Sequence, residues 1–273
     1  MSFAEAVRDA TGRTVRDVER VSGGDINNAF RVQFEDESLA FVKTRADVAT
    51  GEYAAEAAGL RWLAEPGALR VPEVVGVSDL VLVLDWVDEG GRGDPAAFGA
   101  GLAAVHAAGA DDFGGPEPLR LGSLTLPNDA APDWPTFYAE HRLRPLLKHL
   151  RPSGRAAVER VCEKIADLAG PPEPPARLHG DLWSGNVLWD RQGRAWLIDP
   201  AAYGGHREVD LAMLQLFGDP GRHFFAAYDE RFPLAPGHEE RVPLYQLFPL
   251  LVHAALFGGG YVASAERAAS VYA

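Results

Sequence analysis

The spacing of apolar residues changes character near residue 90. From Val15 to Val87 they fall in short runs separated by turn residues, the pattern of strands. Val15 to Val21 reads as one strand. Arg31 to Phe34 and Leu39 to Lys43 flank the polar Glu35-Asp36-Glu37-Ser38 and read as a β-hairpin. Gly51 to Leu63 favours a helix stopped by Pro66-Gly67, and Val71 to Val77 and Leu80 to Val87 read as two more strands. Asp88-Glu89-Gly90-Gly91-Arg92-Gly93 then breaks the pattern.

Beyond it the period is mainly helical. Asp94-Pro95 opens a helix that runs to about Ala108, where Gly109 supplies the cap. The exception is Asn186 to Asp190, a turn through Gln192-Gly193, and Ala195 to Asp199, which reads as one hairpin. The apolar tract from Leu244 to Val262 is interrupted by Gln246, Pro249, His253 and three glycines, so it predicts a buried C-terminal helix rather than a membrane span. The expected fold class is α+β. Residues 1–87 form a small antiparallel sheet with one main helix, and residues 88–273 a larger, mostly helical lobe.

Charge and composition narrow the function classes. Twenty-six Lys and Arg against 39 Asp and Glu give a net charge of −13, which repels nucleic-acid phosphates and anionic lipid, so neither is an expected partner. The single cysteine, Cys162, excludes an intrachain disulfide framework and a cysteine zinc cluster. Charged residues run through positions 1–20 where a secretory signal would be apolar, so the expected compartment is the cytoplasm and the default state a monomer.

The candidate chemistry centres on Leu178-His179-Gly180-Asp181-Leu182-Trp183-Ser184-Gly185-Asn186, followed after the hairpin by Asp199-Pro200-Ala201. Phosphoryl transfer needs a carboxylate to orient the acceptor hydroxyl and take its proton, and hard oxygen ligands for magnesium on the phosphates. Asp181 suits the first task, Asn186 and Asp199 the second. Their order and spacing are those of kinase catalytic loops, which implies ATP and Mg2+ as cofactors. Lys43 ends a strand as a phosphate-binding lysine does, and Glu56 on the next helix is its expected ion-pair partner. Gly23 and Gly24 lie in the loop where amides would approach phosphate, and Asp85-Trp86-Val87 lies where backbone groups would read adenine.

These residues resemble the fructosamine (ketosamine) 3-kinase family, related to aminoglycoside and choline kinases and built on the two-lobed protein-kinase-like fold. The resemblance spans almost the whole chain. It includes Ile198 to Ala201, Tyr203 to Met213, Leu244-Tyr245-Gln246 and Leu256 to Gly259. It implies transfer of the ATP γ-phosphate to the 3-hydroxyl of a ketosamine, a fructosamine or ribulosamine on a protein or free amine, as in protein deglycation. Under it Asp181 is the proton acceptor, Asn186 and Asp199 hold magnesium, and Asp210 braces the catalytic loop. Trp183 and Tyr203 are the candidate aromatic faces for the sugar. Asp25 stands where some relatives carry cysteine, and His206 where aspartate is frequent. Two alternatives stay open: a kinase of another hydroxylated small molecule, such as an aminoglycoside, choline or a sugar, and an inactive nucleotide-binding module.

Overall fold

The computed structural model describes residues 1–21 and 28–272. The expected phosphate loop around Gly23 and Gly24 therefore lies outside the described residues. In chain order the elements are α1 (Phe3–Thr11), β1 (Val15–Val21), β2 (Asn28–Phe34), β3 (Leu39–Thr44), α2 (Glu52–Ala64), β4 (Val74–Val77) and β5 (Leu82–Asp85). Then come α3 (Pro95–Ala107), β6 (Leu119–Leu121), β7 (Leu124–Leu126), α4 (Trp134–Phe137), α5 (Pro152–Glu163), α6 (Ile165–Leu168) and β8 (Ala176–Leu178). The hairpin β9 (Val187–Trp189) and β10 (Ala195–Leu197) follows, then β11 (Tyr203–Gly205), α7 (Glu208–Leu216), α8 (Arg222–Arg231), α9 (His238–Phe257) and α10 (Gly260–Ser270).

These elements form two compact units: residues 1–94 with 187–200, and residues 95–186 with 201–273. In the first, an antiparallel sheet runs β1-β2-β3-β5-β4. Alternation along β3 sends Ala40 and Val42 to one face, packed with Ala6 and Val7 of α1, and Phe41 to the other, against Tyr53, Ala57 and Leu60 of α2. The α1 helix starts at a reciprocal cap in which Glu5 N donates to Ser2 Oγ and Ser2 N to Glu5 Oε2.

The hairpin 187–200 belongs to this first unit rather than to the helical one that surrounds it in sequence, and the first segment ends at Asp94 rather than Val87. The reason is a set of contacts between residues far apart in sequence. Gly90 N donates to the Trp189 carbonyl (3.1 Å), Asp94 N to that of Gly193 (3.2 Å) and Leu197 N to that of Arg70 (2.9 Å). The Arg70 guanidinium lies over the Trp196 ring at 5.4 Å. Gly91 runs so close to Asp190 that an added Cβ would sit 2.0 Å from its carbonyl oxygen.

The second unit is mainly helical. One apolar core joins Phe137, Tyr138, Leu143, Val158, Val161, Leu178, Tyr203, Leu244 and Leu251. Cys162 is buried in that core, and burial pushes its thiol up to about 12, where it is inert. The expected C-terminal helix is present but breaks at Gly258 and Gly259, both at positive φ, into α9 and α10. No helix among the described residues is long and apolar enough to cross a membrane.

Candidate active site

In the first unit the chemistry gathers on Lys43. Its place on β3, opposite Ala29 of β2 and Leu82 of β5, buries the side chain on the α2 side of the sheet. Nζ lies 2.7 Å from Glu56 Oε1 and 2.6 Å from Asp199 Oδ1. Burial opposes the ammonium charge, but the two carboxylates outweigh it and raise the lysine above its ordinary value. The side chain is therefore a permanent cation.

Asp199 follows β10 at a φ of 54°, a left-handed conformation uncommon outside glycine and asparagine. The hairpin that carries it is fixed by Asp190. Asp190 Oδ1 accepts from the amides of Gln192 and Arg194 (both 3.0 Å), and Oδ2 from Arg194 Nε (2.7 Å) and Trp196 Nε1 (3.0 Å). Burial works against this carboxylate, yet the Trp196 and Arg194 bonds outweigh it and hold it well below the usual carboxylate range. Sequence reasoning passed over Asp190, although an Asp two residues before Gln192 and Gly193 is a signal for this side-chain-closed turn.

The expected adenine-reading segment begins at the last residue of β5. Asp85 is exposed and Val87 buried. The Trp86 indole donates to Asp88 Oδ1 (3.1 Å), beneath the Arg31 guanidinium at 5.6 Å.

In the second unit β8 pairs with β11, and the loop leaving β8 carries Asp181. Gly180 must be glycine: its φ is 80°, and a Cβ would meet the Ala201 carbonyl oxygen at 2.0 Å. Asp210, in the first turn of α7, accepts from the amides of His179 (Oδ2, 2.7 Å) and Gly180 (Oδ1, 2.9 Å). Asp181 N donates to His179 Nδ1 (3.3 Å). Asn186 Nδ2 donates to both the carbonyl (2.8 Å) and the Oδ2 (3.0 Å) of Asp181, so the amide oxygen of Asn186 points away from that carboxylate. Amide and carboxylate oxygens are hard donors of the kind magnesium takes. No group of three His, Cys, Asp or Glu side chains suited to a metal occurs among the described residues.

The two aromatic candidates separate. Trp183 is 40% exposed, its ring lying where a Cβ on Gly185 would approach to 2.3 Å. Tyr203 is 1% exposed, with its ring under the Arg142 guanidinium (4.1 Å) and beside Phe137 (5.8 Å). Tyr203 is a core residue and offers no face to a sugar, which corrects the expectation. His206 is also internal, stacked on Tyr245 with centroids 5.0 Å apart, and burial pushes its imidazole down to about 4.

The fructosamine kinase family profile matches residues 1–271. A crystal structure of a candidate fructosamine-3-kinase from Thermobifida fusca superposes with a TM-score of 0.93 at 43% identity, covering 99% of this chain and 98% of that one. The chloroplastic protein-ribulosamine 3-kinase of Oryza sativa subsp. japonica is 35% identical over 262 residues, 91% of this chain and 76% of the rice protein. A type I macrolide 2'-phosphotransferase shares the kinase-like fold at a TM-score of 0.66 and 16% identity, covering 100% of this chain and 98% of its own. An antiparallel sheet before a helical remainder agrees with these matches, and the profile spans nearly the whole chain: the chain belongs to the fructosamine kinase family.

Proposed function

We propose that the protein is an ATP-dependent 3-kinase of ketosamines, with fructosamines and ribulosamines as the acceptor class and deglycation as the outcome. The observation that carries this reading is Lys43 held between Glu56 and Asp199, a fixed cation with two carboxylates around it. A lysine kept charged in this way suits the α- and β-phosphates of ATP and argues against an inactive module.

Lys43 and the segment Asp85-Trp86-Val87 hold the nucleotide, with Glu56 orienting the lysine. Asn186 and Asp199 would hold magnesium, which when bound would neutralise phosphate charge. Asp181 accepts a hydrogen bond from the sugar 3-hydroxyl. As that oxygen's lone pair attacks the γ-phosphorus, the bond from phosphorus to the ADP oxygen breaks and the hydroxyl proton passes to the Asp181 carboxylate. The exposed Trp183 ring stacks on the sugar. The enzyme works as a monomer in the cytoplasm, a compartment that suits its one buried, unreactive cysteine.

An ADP-release assay with ribulosamine, fructosamine, choline, kanamycin and ribose as acceptors tests the reading. Turnover is expected on the two ketosamines. Phosphorylation of choline or kanamycin with none of either ketosamine overturns the substrate class.

A further inference from the structure

The exposed Trp183 ring lies back over the turn that carries it. Ser184–Asn186 forms a single 3-10 turn, closed by Asn186 N donating to the Trp183 carbonyl (2.9 Å). Ser184 fastens that turn to the end of α7, with both its N (3.3 Å) and its Oγ (2.9 Å) donating to the Phe217 carbonyl. On the other side of Trp183, Leu182 is fully buried. The backbone is thus held before and after the indole, and what is left to set the ring's position is its own side-chain torsions.

The indole meets that backbone at Gly185. A Cβ there would lie 2.3, 2.5 and 2.6 Å from Cη2, Cζ3 and Cζ2 of Trp183, the outer edge of the six-membered ring. Ordinary contact begins at 3.4 Å, so the ring and a side chain cannot both occupy this place. The backbone supplies no second reason for glycine: unlike Gly180, Gly185 is not in the left-handed region, and it is exposed. In a helical turn glycine is the costlier choice, because it has more freedom to lose on folding. The missing side chain is what lets the indole rest against the turn.

We propose that Gly185 is a positioning residue for the acceptor: it is the seat of Trp183, and its bare backbone fixes where the indole stands, two residues from Asp181, for the ketosamine sugar to stack. The inference rests on the kinase reading above. A methyl group at 185 displaces an exposed ring that has room to move, so the cost falls on acceptor binding rather than on the fold. The test is a double-mutant cycle of Gly185→Ala and Trp183→Ala, read in kcat, KM for ribulosamine, KM for ATP, melting temperature and acrylamide quenching of tryptophan fluorescence. Gly185→Ala is expected to raise KM for ribulosamine about threefold to tenfold and to make tryptophan fluorescence easier to quench, with kcat, KM for ATP and melting temperature nearly unchanged. In the Trp183→Ala background the same substitution is expected to move neither KM nor quenching. An unchanged KM for ribulosamine in Gly185→Ala, or an equal rise with and without the indole, overturns the proposal. If Gly185→Ala alone does not fold, the double variant decides: folding regained on removal of the ring supports the seat, and continued misfolding overturns it. Absence of turnover in the wild type would count against the kinase reading alone, because quenching reports whether Gly185 seats the ring without any acceptor.

Discussion

Lys43 and Asp199 form a 2.6 Å ion pair that ties a central strand of the sheet to a hairpin distant in sequence. Because Glu56 shares the same ammonium, one side chain sets the position of two carboxylates. Lys43→Met should therefore act on fold and function together. Removing one partner of a buried ion pair is expected to lower stability by about 3 kcal/mol. Loss of the phosphate contact should raise KM for ATP. Urea denaturation and steady-state kinetics check both, and a variant of wild-type stability and KM would show that the pair is dispensable.

Asp181→Asn preserves size and changes the group proposed to take the acceptor proton. Turnover is expected to fall by at least about a hundredfold. Nucleotide affinity and melting temperature should stay where they are, since the loop is anchored through Asp210 and Asn186 rather than through the Asp181 carboxylate alone.

Asn186→Ala removes the proposed amide ligand and the 3.0 Å bond that orients Asp181. The magnesium concentration for half-maximal rate is expected to rise about tenfold. A magnesium titration of the variant, with chelation of the wild type as control, measures this. Loss of rate at every magnesium concentration, with the midpoint unmoved, would leave Asn186 as an orienting group only.

Trp183 and Tyr203 should separate cleanly. Trp183→Ala, at an exposed site, is expected to raise KM for the ketosamine with little effect on stability. Tyr203→Ala empties a core position and should cost about 3 kcal/mol or more. Thermal melts alongside acceptor kinetics distinguish them.

His206 supplies a pH dependence. Its imidazole titrates lower in the folded chain than in the unfolded one, first because it is buried and despite the nearby Glu173, with Arg207 and Arg241 adding to the effect. A depressed folded value contributes stability that is present above the unfolded pKa of 6.5 and is lost as pH falls toward about 4. The full loss amounts to about 3 kcal/mol. His206→Phe, which can keep the stack on Tyr245, is expected to flatten the wild-type decline in melting temperature between those two pH values.

The sequence carried the chemistry better than the geometry. Lys43, Asp181, Asn186 and Asp199 stand out in the sequence because phosphoryl transfer tolerates few residue types in few orders, and the structure pairs Lys43 with Asp199 and Asn186 with Asp181. Strand limits were less so: β5 ends at Asp85 although the apolar run continues to Val87, because sheet pairing stops where β3 ends its match at Ala40. Tyr203 looked like a substrate face because nothing near it in sequence announces Arg142, which caps its ring. His106 read as an ordinary core histidine because its partners, Asp210 and Tyr228, come from two later helices. What escaped the sequence was the long-range pairing that turns a common residue type into a fixed one.

The division of the chain at Asn186 and Val187 also constrains protein engineering. A fragment cut after Asp94 would omit the hairpin that Gly90, Asp94 and Arg70 bond to, along with the second counter-charge of Lys43. An autonomous first unit therefore requires splicing 187–200 onto residue 94 through a linker. Deleting those fourteen positions from the remainder calls for a short bridge from Asn186 to Ala201, two residues of one unit in which Ala201 N already bonds the His179 carbonyl.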